Sequence, residues 1–404
     1  MNTETQSQEI NRQEINRQEQ AAAYLSRAIE GTHLHAVELI DEVGIIETAR
    51  RVSHRQGISK ELEASTESRY SQSNWAEDIS QAQQLGFRII WPGHPEWPDK
   101  LGSLNNLDEA HFNEVAPTGL WVAGGSLVEL VRDAVAIVGT RAATNYGISV
   151  TRDLAKDLAS DGVTIVSGAA LGIDTVAHQT ALQEGGATIA VMANGPGVTY
   201  PAANKQLFAH IAGSVPDQGA VMQGGVPQGV VVTEYPPQQR PARHRFLTRN
   251  RLVAALSDVT VLVEAGWRSG ARNTALWASR MARNVAAVPG NVFSASSTGC
   301  HDLIRNHEAT LVVNAANVRA LYQPIGAVDE DSQLEIDWQA SPVQKLSHSE
   351  LRVYDATSPE QGRTAEEISQ NAGLTLGLTV HLLVVLERAG LVQRNKNLWQ
   401  RLQV

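Results

Sequence analysis

Seven short apolar runs mark the middle of the chain: AVAIVG (134–139), VTIVSG (163–168), TIAVMA (188–193), VVVTEY (230–235), VTVLVEA (259–265), NVAAVPG (284–290) and ATLVVN (309–314). Each is apolar almost throughout, the pattern of a strand covered on both faces. The stretches between them are long enough for crossover helices. The alternation predicts an α/β fold: an extended Rossmann-like, doubly wound, mostly parallel sheet occupying residues 86–322. Residues 213–229 break the rhythm with five glycines and two prolines and read as a surface loop inserted before a strand.

The flanks differ in period. Residues 21–85 carry helical spacing in AAAYLSRAIEG, HAVELIDEVGIIETARRV and ISQAQQLG, a helical module of the SAM or helix-hairpin-helix kind. Within it, Leu39 to Ile45 reads as helix, glycine turn, helix, either a small packed module or a turn offering amides to a DNA phosphate. Residues 1–20, with the QEINR repeat of Gln8–Glu19, read as a disordered or fraying helical tail rather than a functional element. Residues 323–342 are acidic and aperiodic, a linker. Residues 343–404 suggest three helices and a hairpin, a winged-helix-like outline.

Composition changes this picture little. The 404 residues are 42% apolar, which suits a core-forming chain of two or three domains. No apolar run approaches the ~18 residues of a membrane span, and the start carries no secretory signal, so no membrane insertion is expected. The single cysteine, Cys300, excludes an internal disulfide and a multi-cysteine zinc site; a cytoplasmic location is expected.

Charge changes it more. The chain carries a formal net charge of −10, yet RPARHRFLTRNRLVAAL (240–256) holds five arginines and no acid occurs between Tyr235 and Ser257. Screening limits electrostatic reach to about 8–10 Å, so a local basic groove is compatible with an acidic total. In an open parallel sheet, ligands gather beyond the carboxyl ends of the strands. The loops there read Gly139-Thr140-Arg141, Ser167-Gly168 and Gly266-Trp267-Arg268-Ser269-Gly270, small and basic, suited to phosphate at helix starts. Neither a complete GxGxxG nor a GxxxxGK[ST] motif occurs. Guanidinium forks donate to phosphates in pairs, and Phe246 among them offers a base a stacking surface. Asp174 and His178, one helical turn apart, lack the third ligand of a metal site and read as structural. Cys300 has no base beyond adjacent His301. No nucleophile–base–orienter set stands out, so no catalytic residue, metal or cofactor is expected.

The ordered set AIVGTR…YG, SGAALGIDTVAH, TEYPP…RHRFLTRNRLVAALS, VLVEAGWRSGARNTA, AVPG and STGCHDLI, over about residues 90–320, resembles the DNA-processing protein A family, also called Smf or DprA. The resemblance implies a protein without enzymatic activity that binds single-stranded DNA, protects incoming strands and loads RecA recombinase during natural transformation. It implies a homodimer, and single-strand-binding protein as a further partner. Carried over by motif, phosphate binding falls on Arg141, Ser167, Gly168, Arg268, Ser269 and Gly270. The basic, aromatic lining falls on Arg243, Phe246, Arg249, Asn250 and Arg251. Lysine is common in the family where Arg268 stands; the charge is kept.

Two departures from the family pattern stand out. Ala193 and Gly197 replace its usual glycine and aspartate ahead of Tyr200-Pro201, which puts contacts from that loop in question, and the 213–229 insertion is long. In the last module, the segment Thr375–Leu383 has no lysine or arginine before Arg388, which favours protein interaction or packing over duplex binding, with Arg394 and Lys396 keeping the alternative open. The rival function is a nucleotide-processing enzyme of related fold, a LOG-like nucleoside-monophosphate phosphoribohydrolase. Its PGGxGTxxE loop corresponds here to Glu264–Thr274, which lacks that spacing and ends without an acid.

Overall fold

Every one of the seven apolar runs contains a strand in the computed structural model, which describes residues 3–72, 74–107, 115–213, 228–324, 343 and 346–402, with backbone alone for 3–11. Two strands precede them, β1 (Phe87–Ile90) and β2 (Leu120–Gly124). Then come β3 (Ala134–Val138), β4 (Thr164–Ser167), β5 (Thr188–Val191), β6 (Gly229–Thr233), β7 (Val259–Leu262), β8 (Asn284–Ala287) and β9 (Thr310–Leu311). They form one nine-stranded sheet in the order β1-β2-β6-β5-β4-β3-β7-β8-β9. All pairings from β6 to β9 are parallel, and β1 and β2 join antiparallel at one edge. The chain therefore winds outward from β3 in one direction as far as β6, crosses back, and winds outward in the other. Loops leaving the carboxyl ends around β3 diverge, and a crevice opens there.

Helices α1 (Thr3–Leu25), α2 (Leu34–His54), α3 (Lys60–Thr66) and α4 (Trp75–Gln84) precede the sheet. Between and after its strands come α5 (Leu127–Leu130), α6 (Asn145–Ser160), α7 (Ile173–Gln183), α8 (Lys205–Ile211), α9 (Arg243–Ala255), α10 (Ala271–Arg280), α11 (Thr298–Arg305) and α12 (Ala315–Ala320). Alternation along β3 sends Val135 and Ile137 to one face and Ala134, Ala136 and Val138 to the other. On the first face they meet Leu154 and Leu158 of α6, Ala177 of α7 and Val318 of α12. On the second they share a core with Leu252 and Val253 of α9, Ala275 and Trp277 of α10 and Leu303 of α11. Burial on both faces explains why these strands lack a polar alternation.

The first four helices belong to the same compact unit as the sheet, residues Met1–Glu330. Ala21–Leu25 of α1 and Leu62 of α3 pack with Ile89, Trp91 and the fully buried Trp121, whose indole donates to Ser26 Oγ at 2.9 Å. The expected boundary near residue 85 is thus bridged by a shared core. Of the two forms expected for the tail, the helical one is seen: α1 starts at Thr3 and includes the QEINR repeat, with residues 12–17 exposed. The buried Ala-Ala-Ala-Tyr-Leu end supplies the nucleus, and Gln, Glu and Arg are adequate helix formers once one exists. The expected glycine turn in α2 lies at Gly44, where φ is +80°, a conformation open to glycine at little cost.

Residues Asp331–Val404 form a second unit. It comprises α13 (His348–Ala356), β10 (Arg363–Thr364), α14 (Ala365–Ala372), α15 (Leu376–Arg388), β11 (Val392–Asn395) and β12 (Leu398–Arg401), its strands in the antiparallel order β10-β12-β11. Capping boxes, Ser347 with Glu350 and Thr364 with Glu367, start α13 and α14. Its own core gathers Val353, Ile368, Leu383, Leu386 and Trp399. The acidic linker beyond Gln323–Pro324 and all but the ends of the 213–229 insertion lie outside the described residues. Among those described, no single helix is long and apolar enough to cross a membrane.

Candidate nucleic-acid interface

Three loops and one helix converge at the carboxyl edge of the sheet. After β3 the chain must turn sharply, because α7 begins directly beneath: a Cβ on Gly139 would lie 2.6 Å from Ile173, and one on Gly172 (φ +82°) 2.4 Å from the Thr140 carbonyl. That close approach needs glycine at both positions. Thr140 N donates to the Glu264 carbonyl at 2.7 Å, tying this loop to the end of β7. Glu264 itself is buried. Its carboxylate accepts from Thr144 N (2.9 Å), Thr144 Oγ1 (2.7 Å) and Ser296 Oγ (2.9 Å), joining the loops after β3, β7 and β8. In the sequence, the signal for this role is a single acid at the end of the apolar run VTVLVEA.

Helix α9 carries the chain across the sheet from β6 to β7. Its cleft-facing residues, Phe246, Arg249, Asn250 and Val253, recur at helical spacing and line an open cleft of about 420 Å³ with Arg141, Arg268, Ser269 and Gly270. Arg141 is exposed, its guanidinium 5.1 Å from the Phe246 ring centroid. Arg268 is exposed, and neither it nor Arg141 has an ion pair among the described residues. Asn250 Nδ2 donates to the Gly270 carbonyl (3.2 Å) and Asn273 Oδ1 (3.3 Å), fixing the amino end of α10 against α9. At the start of α10 the amides of Ala271, Arg272 and Asn273 donate to Ser269 Oγ (3.3 Å), the Ser269 carbonyl (3.2 Å) and the Gly270 carbonyl (3.1 Å). This helix end, beside the cleft, therefore contributes partial positive charge that favours an anion rather than free donors.

Arg249 forms the floor. It is 4% exposed and donates to the carbonyls of Gly168 and Val191. A Cβ on Gly168 would come within 2.7 Å of its Nη1, so glycine is needed there for the guanidinium to fit. Burial lowers its pKa to about 10, against the pull of Asp174, leaving it charged near neutral pH. Asp174 is the sole carboxylate lining the cleft among the described residues. Burial pushes it up to about 6, with Arg249 the main opposing influence. His178, one turn on, is buried, with Nδ1 2.7 Å from Thr188 Oγ1, and burial holds it down to about 3. It is a neutral core side chain.

A side slot of about 100 Å³ adjoins the cleft, lined by Arg141, Leu171, Ala193, Tyr200, Phe246 and Arg249. Tyr200 and Phe246 lie with centroids 5.3 Å apart at 49°. The loop carrying the Ala193 and Gly197 departures therefore reaches the site through Ala193 and Tyr200.

Three expected residues lie elsewhere. Arg251 is wholly buried, paired with Glu234 at 2.8 and 2.6 Å and donating to the Val115 carbonyl at 3.0 Å. Two positions from Arg249 on a helix, it points some 200° away, into the core. Ser167 is buried, its hydroxyl donating to the Ile137 carbonyl at 2.6 Å. Arg243 is exposed at the first position of α9 but lines neither cavity. Arg245, in the same block, donates to Glu30 at 3.0 Å; that acid, 215 residues away, is why local acid scarcity overstated the free charge. Cys300 is buried with its thiol pushed up to about 11, mainly by burial, which makes it unreactive.

The family model for DNA recombination-mediator protein A matches residues 88–323. A DNA processing protein DprA of Mycobacterium tuberculosis is 40% identical over 387 residues, covering 95% of this chain and 94% of that one. DprA of Streptococcus pneumoniae is 37% identical over 229 residues, 55% of this chain and 75% of that one. A crystal structure of DprA from Streptococcus pneumoniae matches with a TM-score of 0.59 at 29% identity, over 77% of this chain and 98% of that one. The matched span contains the whole cleft, and the long match to the mycobacterial protein extends over both flanks. The chain belongs to the DNA recombination-mediator protein A family, the DprA and Smf proteins.

Proposed function

We propose that this protein binds single-stranded DNA in the cleft between α9 and the carboxyl ends of β3, β4 and β7, without sequence readout and without catalysis. In this reading Arg141 and Arg268 hold phosphates, with the partial positive charge of the amino end of α10 beside them. Arg249 supplies buried positive potential from below, and Phe246 stacks a base. The carrying observation is the convergence of Arg141, Arg249 and Arg268 with Phe246 on one open cleft that holds a single carboxylate. Structural ion-pairing would call for matching acids, and these are lacking there. Protection of incoming strands, loading of RecA, displacement of single-strand-binding protein and homodimer formation extend the same reading. Leu376, Leu378 and Val380, exposed along α15, favour a protein-contacting role for the C-terminal unit over insertion into a duplex.

Fluorescence anisotropy with an unstructured oligonucleotide tests this. With about 3–5 phosphates neutralised, log affinity should fall with log salt at a slope of about −2 to −3.5. Salt-insensitive binding, or none, would contradict it.

The enzymatic reading draws on one feature, Asp174, a buried cleft carboxylate with a raised pKa. Incubation with purine nucleoside monophosphates should release no free base; release dependent on Asp174 would favour the enzyme.

A further inference from the structure

A second aromatic surface lies beyond the cleft on the same edge of the sheet. Phe293 is 94% exposed, Val292 74% and Trp267 60%. Phe293 and Val292 sit in the loop after β8; Trp267 precedes Arg268 in the loop after β7. β7 and β8 are adjacent in the sheet, so the two loops are neighbours. Gly299 N donates to the Ala265 carbonyl at 2.7 Å, and the Ala295 carbonyl lies 3.4 Å from where a Cβ on Gly266 would stand.

The β8 loop is built to hold its ring outward. Phe293 N donates to Asn291 Oδ1 (2.8 Å) and Ser294 N to the Asn291 carbonyl (2.9 Å), closing a tight turn. Ser296 is anchored to Glu264, and Tyr146 Oη donates to the Pro289 carbonyl at 2.5 Å. Val292, Phe293 and Trp267 thus put three large solvated apolar side chains on two neighbouring loops, and an exposed apolar patch, unlike scattered single residues, marks an interaction surface.

The charge around it selects the occupant. No acid occurs from Ala265 to His301, in a chain whose formal net charge is −10. Arg268 is exposed beside Trp267, and Arg272, though paired with Asp302 at 2.7 Å, lies 4.9 Å from the Trp267 ring centroid. Aromatic rings beside an exposed Arg268 with no ion pair among the described residues suit a strand that presents flat bases and negative phosphates. Arg268 lines the cleft, so the two surfaces are continuous.

Resting on the single-strand reading above, we propose that Trp267 and Phe293 form a second base-stacking platform, onto which a strand leaving the Phe246 site passes across Arg268. Short oligonucleotides fill the cleft alone; longer ones engage both.

The test is anisotropy with labelled oligothymidylates of about 4 and about 16 nucleotides, using the full chain and the Phe293→Ala and Trp267→Ala/Phe293→Ala variants, with oligomeric state followed by sedimentation. Affinity for the longer strand should fall by about 5-fold or more per ring removed. The shorter strand should bind as before, the salt slope should stay constant, and Phe293→Trp should retain affinity. Parent-like affinity of the double variant for the longer strand would overturn the platform while leaving the cleft reading intact. Equal losses on both lengths, or a change in oligomeric state accounting for the loss, would overturn it as well. If the parent binds neither oligonucleotide, the cleft reading falls and the platform falls with it.

Discussion

Arg249 and Arg251 show how two residues apart on one helix can serve opposite ends. Arg249 reaches the cleft floor and donates to two backbone carbonyls, whereas Arg251 closes a buried pair with Glu234. Removing one member of a buried pair leaves the other charged and unsolvated, so Arg251→Ala should lose about 3–5 kcal/mol of stability, measured by denaturant unfolding. A loss within 0.5 kcal/mol, the ordinary range for surface changes, would contradict the pairing. Asp174 gives a pH prediction. Its folded pKa, about 6, lies above the ~3.9 of an unfolded aspartate, so between these values the folded state binds more protons. Stability conferred by the protonated form is then full below about pH 4, declines as pH rises through 6, and is gone above it. A bound polyanion favours the protonated carboxyl further. Oligonucleotide affinity should therefore decline from pH 5 to 7 in the parent and decline less in Asp174→Asn, as read by anisotropy at constant salt. Identical profiles would remove Asp174 from the site.

The elements were unevenly legible. All seven runs from AVAIVG to ATLVVN proved to hold strands because burial on both faces writes a continuous apolar signature. β1 and β2 went unread: FRII and LWVAG are brief, and an antiparallel pair added at the edge follows no βαβ rhythm. On α9 the contiguous block RHRFLTRNR looked like one basic surface, yet a helix presents only every third or fourth residue to a given side. That periodicity, applied within the block, would have separated Phe246, Arg249 and Asn250 from Arg251. It would not have found Glu30, whose pairing with Arg245 follows a π-helical turn, Ser26–Glu30, remote in sequence. The seat of the Arg249 guanidinium against the end of β4 depends on glycine at 168. Gly168→Ala should displace the Arg249 guanidinium and weaken oligonucleotide binding about tenfold, while the far-ultraviolet dichroism stays that of the parent. Unchanged affinity would show that the guanidinium's seat is immaterial to binding.

For the molecule as a whole, an acidic chain carries a basic cleft because its acids are placed elsewhere or are engaged in structural pairs. Glu234 lies in the core and Glu30 is bound to α9 and to Arg69. Glu264 ties three loops together. The helices ahead of the sheet share its core and hold the far side of α9, so they belong to the machinery that positions the cleft. The second unit has its own core and caps. A chain ending at residue 324 should therefore keep the oligonucleotide affinity of the full protein within about twofold, if affinity resides in the cleft.

The central claim is that particular arginines, selected by the fold from a larger basic block, neutralise phosphates. It is tested most directly by the salt dependence of oligonucleotide binding for Arg141→Ala/Arg268→Ala beside Arg243→Ala. Each lost phosphate contact should lower the magnitude of the slope by about 0.7. The double variant should thus lose about 1.4, and Arg243→Ala should keep the parent slope. A double variant with the parent slope, or an equal reduction per arginine at Arg243, would contradict the account.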